Sequence, residues 1–409
     1  NDTWTPDATQ WTDAPGWPDG VEINLDATTA EWALWQQKVA ANSITLGADR
    51  TSVSAPIIIT HGGTYQGNWQ SLYAEIPAVE IRTSEPVIIE NSIVRSRGTL
   101  IDIYNYAANV TVRNTTGYGL NPDEAGTYVG RFMDVDGWVS ITAQNNYLQS
   151  TAGIYLADYT GDGSVNQTVA ILRNEALNID GRASNGTGGW AVGSPDPNVY
   201  RQFFQINGAT LSGAEVAWNQ VINEPGHSRV EENINIFASN GTPASPFLIH
   251  DNYIRGAFPA DAIDALDYTG GGIMVSDTGS SYIQAFNNQI VSTGGIGMSI
   301  SSGHDNSVFS NRVISSGLSP TGAVLQYSNT GVAIWNANQE STFTNNSGHD
   351  NYVGWVSKGQ RNDWWVPDTS SWTNNVPAIG PVTRDTELAE WNQWLAKLVV
   401  AAMPVGPAS

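Results

Sequence analysis

Asp102, Asp134 and Asp136 stand in two short alternating stretches, LIDIY (100–104) and MDVDG (133–137), in which every second residue is apolar. That period turns the carboxylates away from the apolar face. If the two stretches are neighbouring strands, about 4.8 Å apart, Asp102 and Asp134 can share a proton or a cation. A second acidic group lies in EPGHSRVEEN (224–233), with Glu231 and Glu232 beside His227 and Arg229, and a third in DAIDALDYTGGG (261–272), with Asp261, Asp264, Asp267 and Tyr268. A carboxylate pair in which one pKa is raised can hydrolyse a glycosidic bond, one group protonating the leaving oxygen and the other activating water or attacking carbon. The candidate catalytic residues are therefore Glu232, Asp134, Asp102, Glu231 and Asp267. His227, Arg229, Tyr155, Gln205, Asn235, Tyr104 and Tyr268 are the candidates for substrate contact. The spacing of three in Asp261, Asp264 and Asp267 equally describes the solvated face of one helical turn. Metal hints are weak: Asp136, Asp158 and Asp162 lie near glycine in DVDG and DYTGDG, and neither stretch completes an EF-hand pattern. No cofactor is required, and calcium stays an option.

These residues need elements to hold them. Short lines of one pattern recur, among them VRNTT, QNNYL, LRNEAL, WNQVI, HDNYI, NNQIV, SNRVI and TNNSG, whose marker asparagines are Asn114, Asn146, Asn174, Asn219, Asn252, Asn288, Asn311 and Asn346. After most markers come a Gly-rich turn and a short alternating strand. Aligning those strands predicts an outward column Asp102, Asp134, Tyr155, Gln205, Asn235, Met274, Gly297, Ala333, and a companion column containing Tyr104, Asp136, Asn207 and Trp335. The long insertions 115–130, 178–199, 223–232 and 256–271 precede the polar part of that column and are expected to wall a groove. The pentapeptide SGHDN, at 302–306 and 347–351, with HDN again at 250–252, falls on the same beat. It reads as turn chemistry, because Asp and Asn satisfy turn backbone groups.

The pattern resembles the right-handed parallel β-helix superfamily, the pectate-lyase-like solenoids, over roughly residues 50–356. The resemblance implies an all-β fold, a single-stranded right-handed parallel β-helix. In such a stack the inward Val, Ile and Leu pack between coils, and an Asn at one turn of each coil bonds its neighbours. It also implies polysaccharide-acting enzymes, hydrolases or lyases. The Asn-Thr-Asp, Asp-Asp, Gly-His-Gly and Arg-Ile-Lys set that marks polygalacturonases is absent.

The ends carry an echo: WTPDATQW (4–11) and WVPDTSSW (365–372), then EWALWQQK (31–38) and EWNQWLAK (390–397). Trp32, Trp35 and Val39, like Trp391, Trp394 and Leu398, form an apolar helical stripe. The expected organisation is an N-terminal Trp-rich capping segment with a helix (1–49), the β-helix (50–356), and a C-terminal Trp-rich capping segment with a helix (357–409). Asp385 is the expected N-cap of the second helix.

Composition narrows the partners. Thirty-nine acidic residues against 17 basic ones give a net charge of −22, which argues against nucleic acid. No apolar run is long enough for membrane insertion, and the absence of cysteine excludes disulfides and thiolate metal sites. A chain that opens at Asn1 and is rich in Trp, Tyr, Asn, Gly, Ser and Thr points to a secreted, extracellular protein acting on a polysaccharide or oligosaccharide. A glycoside hydrolase is the first expectation. The alternatives are a polysaccharide lyase, using Arg131, Arg201 or Arg229 against a uronate polymer, and a non-catalytic glycan-binding or surface solenoid. The oligomeric state stays open.

Overall fold

The computed structural model describes residues 53–191, 201–259, 270–319 and 322–407. Each coil lays down three short strands, and like strands of successive coils pair in parallel, so three ladders run the length of a solenoid-like stack. The first ladder runs from Ile57–Ile59 through Ile154–Tyr159 and Glu232–Phe237 to Trp364–Trp365. The second runs from Gly63–Tyr65 to Trp372–Thr373, and the third from Asn68–Ser71 to Val376–Pro377. Two long strands, Ile101–Arg113 and Met133–Gln144, belong to both the first and second ladders and fuse them into one 20-stranded sheet; the third ladder forms a 12-stranded sheet.

The alternation sets this packing. Ile101, Met133, Ile154, Phe204, Ile234 and Ile273 stack inward with at most 1% exposure, and the residues after them face out. Gly153 shows why glycine precedes these strands: at φ +74°, a Cβ would collide with the carbonyl oxygen of Gln202 on the next coil. The asparagine markers form a continuous rail. From Asn146 through Asn174, Asn219, Asn252, Asn288, Asn311 and Asn351 to Asn375, each asparagine donates through Nδ2 to the Oδ1 of the next at 2.8–3.0 Å. The same Nδ2 groups donate to backbone carbonyls, so buried amides that would each cost about 1–3 kcal/mol unpaired are satisfied. Two markers lie elsewhere. Asn114 occupies a left-handed turn (φ +48°), and Thr115 takes the rung below Asn146. Asn346 pairs instead with Asn306 in a separate, shorter stack.

HDN is a structural beat. Asp251, Asp305 and Asp350 hold φ of +53°, +56° and +56°, each carboxylate meets the Nδ1 of the preceding histidine at 2.7–2.8 Å, and the asparagine that follows joins a rail. The rings of His250, Phe286, Phe309 and His349 stack at 4.7–4.9 Å along the same edge.

The C-terminal segment departs from expectation. Parallel pairing does not stop at 356 but continues through Trp364–Trp365, Trp372–Thr373 and Val376–Pro377. The helix Arg384–Ala401 then runs along the flank of the third ladder rather than over an open end. The flank attracts it because Trp218, Ile222, Tyr253 and Val291 offer an apolar strip that Trp391, Trp394 and Leu398 cover. Trp394 is fully buried and its Nε1 donates to Gln220 at 2.9 Å. Glu390, 1% exposed, takes a two-pronged ion pair from Arg312 and a hydrogen bond from Gln289. Lys397 reaches Asp251 at 2.7 Å. Beyond the helix, Asn145 Nδ2 donates to the carbonyls of Pro404 and Gly406. Thr383, not Asp385, is the N-cap; Asp385 and Glu387 sit in the first turn, where the helix dipole favours acids. The N-terminal segment 1–49 and its helix lie outside the described residues.

Candidate active site

The first ladder presents the predicted column. Asp102 is in register with Asp134, then follow Tyr155, Gln205, Asn235 and Met274. It extends one coil further than the sequence suggested, since Glu80 is in register with Asp102. The strand that carries Glu80, Val79–Ile81, is too short to show the alternation clearly, and no marker asparagine announces it. Past Met274 the predicted column is out at one coil: Ser299, not Gly297, pairs with Met274, after which Ala333 and Trp365 follow. The strand Ile296–Ile300 enters the ladder two residues later than its glycine turn suggests, and the bulges between Asn235 and Phe237 and between Met274 and Ser276 lie beyond these pairs. A shift of two keeps the same face outward, so the hydrophobic pattern cannot reveal it.

Two acidic centres stand on this face. In the lower one, burial, helped by Asp134 and Glu80, pushes Asp102 up to about 6, with Arg82 opposing. Arg82 is itself paired with Glu80 at 2.6 Å. Burial also raises Asp134, but Arg131 and Arg201 pull it back, with Arg131 Nε 3.7 Å from Asp134 Oδ2. Burial and the neighbouring Arg201 lower Arg131 to about 10, and its guanidinium lies 4.2 Å over the Tyr155 ring. Asn207 Nδ2 donates to the Tyr155 hydroxyl at 2.9 Å, and Gln205 Nε2 donates to Asn207 Oδ1 at 3.0 Å. Burial and a hydrogen bond to Asp158 raise Asp136.

The upper centre holds Glu231, Glu232 and Asp277. Burial, together with the charges of Glu231 and Asp277, drives Glu232 up to about 8. Burial and Asp277 raise Glu231, which accepts a hydrogen bond from Gln202 at 2.9 Å. Glu232 opens on a recess of about 170 Å³ walled by Gly270, Gly271, Met274, Ser299 and Tyr327. Asp277 was not anticipated, because it ends its strand, Gly271–Asp277, beyond the bulge. Asn235 Nδ2 donates to it at 3.4 Å.

Asp134 and Asn235 are three rungs apart, about 14 Å of stack at ~4.8 Å per rung. The structure therefore brings Asp102 to Asp134, and Glu231 to Glu232, but does not bring Glu232 to Asp134 as an acid–base pair. Tyr104 is 63% exposed beside Asp136. His227 is exposed in a turn after the third ladder. Arg229 is not available to a substrate: it is wholly buried and donates to the Val230 carbonyl, because the chain dives inward there to start the next coil. Asp267 and Tyr268 lie outside the described residues. Asp158 takes a left-handed turn position (φ +54°), and Asp162 accepts a hydrogen bond from the Ser164 N–H, as ordinary turn residues do. Among the described residues no group of three or more His, Cys, Asp or Glu side chains is arranged to hold a metal ion, and none of the helices is long and apolar enough to cross a membrane.

The fold class is thus an all-β, solenoid-like stack of parallel coils with an acidic, aromatic-edged open face. Compared with protein-family models, curated proteins and solved structures, the chain matches none of them.

Proposed function

We propose that the chain is a secreted polysaccharide-acting enzyme on a right-handed, pectate-lyase-like β-helix, and that it hydrolyses glycosidic bonds with Asp102 and Asp134. The observation that carries this reading is the placement of these two carboxyls one rung apart in unlike surroundings. Environments that separate two carboxyls define an acid and a base. Asp102, its carboxyl raised by burial, donates a proton to the leaving oxygen. Asp134, whose charged form Arg131 and Arg201 favour against burial, attacks the anomeric carbon and the glycosidic bond breaks. Asp102, now a carboxylate, takes a proton from the water that displaces Asp134. One rung, about 4.8 Å, is near the roughly 5–5.5 Å between the carboxyls of retaining glycosidases, so net retention is expected. Tyr155, Gln205 and Asn207 supply polar contacts for sugar hydroxyls along the column. Further up, Trp365, 48% exposed and 5.2 Å from the Trp335 ring, supplies a stacking surface.

One feature favours elimination as a second reading: Arg131 and Arg201 converge on Tyr155, and such a pair could neutralise a uronate carboxylate while its α-proton is removed. Digestion of neutral and uronate polymers side by side separates the two. Reducing ends without the ultraviolet absorbance of an unsaturated uronate support hydrolysis. New absorbance supports elimination, and neither product from any polymer overturns both.

A further inference from the structure

A cavity of about 530 Å³ lies between the C-terminal helix and the third ladder, on a different face of the stack from the acidic column. Its charged residues are Arg255, Arg384 and Glu387; Tyr253, Phe258 and Trp391 supply rings. Both arginines are exposed, and among the described residues neither forms an ion pair with a carboxylate; Arg384 donates only to the Ser319 carbonyl. In a chain of net charge −22, two cations without carboxylate partners at one cavity are unexpected. Glu387, on which the Arg255 charge acts without a salt bridge, is already engaged by the Ser316 N–H at 2.6 Å. The second observation is independent of charge. Tyr253, Phe258, Leu388 and Trp391 give the same cavity an apolar wall, behind which the Tyr253 hydroxyl is sealed off without a hydrogen-bond partner.

We infer that this cavity is a second carbohydrate site that takes a uronic acid unit of a glycan, its carboxylate between Arg255 and Arg384 and its ring against Phe258 and Trp391. A carboxylate is the group that two guanidinium forks recognise best. The ring edges of the cavity suit the apolar face of a pyranose. Inorganic phosphate alone would leave the apolar wall unused. The inference rests on the reading of the chain as a glycan-acting protein, yet it uses none of the groove residues. The site would hold an acidic polymer on another face of the stack from the groove that cuts it.

Titration calorimetry with digalacturonic acid, with cellobiose as the neutral control and inorganic phosphate as the bare anion, tests it on the full chain. The expected result is saturable binding of digalacturonic acid alone, weakened about tenfold by Arg255→Gln and by Arg384→Gln, the loss of one charge-assisted contact each. Tyr253→Phe, which removes only a sealed hydroxyl, and Asp134→Asn should leave it unchanged. Absence of binding to the unaltered chain overturns the inference, as does equal binding of phosphate. Binding that survives Arg255→Gln but falls with Asp134→Asn places the ligand in the groove, which also overturns it while leaving the proposed function standing. If no polymer is cut yet Arg255-dependent binding persists, the enzymatic reading falls and this site stands. Melting curves for each variant exclude loss of fold, and Arg255→Gln, at an exposed strand end, keeps the test open if Arg384→Gln loosens the helix.

Discussion

Glu390 on the covered flank and Glu232 on the open face are both shielded carboxylates, and the protein treats them in opposite ways. Glu390 meets two arms of Arg312 and the amide of Gln289. Glu232 meets the like charges of Glu231 and Asp277 and is driven up to about 8. A buried acid given its counter-ion is part of the scaffold. A buried acid denied one stores a proton at neutral pH, and that is a property chemistry can spend. The same division separates Asp180, clasped by Arg182 at 2.7 Å, from Asp102. It also separates the tryptophans: Trp394 is sealed under the helix, whereas Trp365 is half exposed on the face that bears the acids.

The comparison can be broken in five places. Asp134→Asn should cut the release of reducing ends about a thousandfold, as loss of a carboxylate acting at the reacting carbon does, without moving the melting temperature; retained activity would remove Asp134 from the chemistry. Glu390→Ala should cost about 3 kcal/mol in denaturant unfolding, because Arg312 loses its partner; a neutral result would mean that the flank pair is idle. Glu232→Gln should stabilise the protein by about 2 kcal/mol at pH 9 and hardly at all at pH 5. The sign follows from the raised pKa. The folded state binds the Glu232 proton more tightly than the unfolded chain, so this contribution is complete below the ordinary carboxylate range and disappears as pH rises through about 8. A thermal melt series from pH 5 to 9 measures it, and a constant difference would place the origin elsewhere. For Asp102, raised to about 6, the same direction gives activity that falls above pH 6, the proton donor being lost. The smallest effect belongs to His304→Ala, which should change activity by less than about twofold; a large loss would return SGHDN to the catalytic candidates.

The column from Asp102 to Asn235 was legible because alternation of period two and the glycine before each strand leave little freedom of register. Ser299 was not, because its strand enters the ladder two residues later than its glycine turn suggests and a shift of two leaves the same face apolar; Trp365 was not, because its stretch read as a cap rather than a further coil. Arg229 looked like a groove residue since it sits in a polar stretch, but a chain turning into its next coil buries whatever lies at the bend. The stripe Trp391, Trp394 and Leu398 was plain in the sequence. Its target was not, because the matching strip of Trp218, Tyr253 and Val291 is assembled from three coils. The turn geometry of HDN was legible because Asn252 falls on the marker spacing and Asp and Asn suit turns.

In a stack whose coils touch only their neighbours, melting can begin at either end and unzip coil by coil. The C-terminal strap changes that arithmetic. It bonds Ser316 at its start, Arg312, Gln289, Asp251 and Gln220 along its length, and Asn145 and Arg173 through the tail beyond it. Coils far apart in the pile therefore let go together or not at all, and a protein built from repeats acquires, over that stretch, the all-or-none unfolding of a globule.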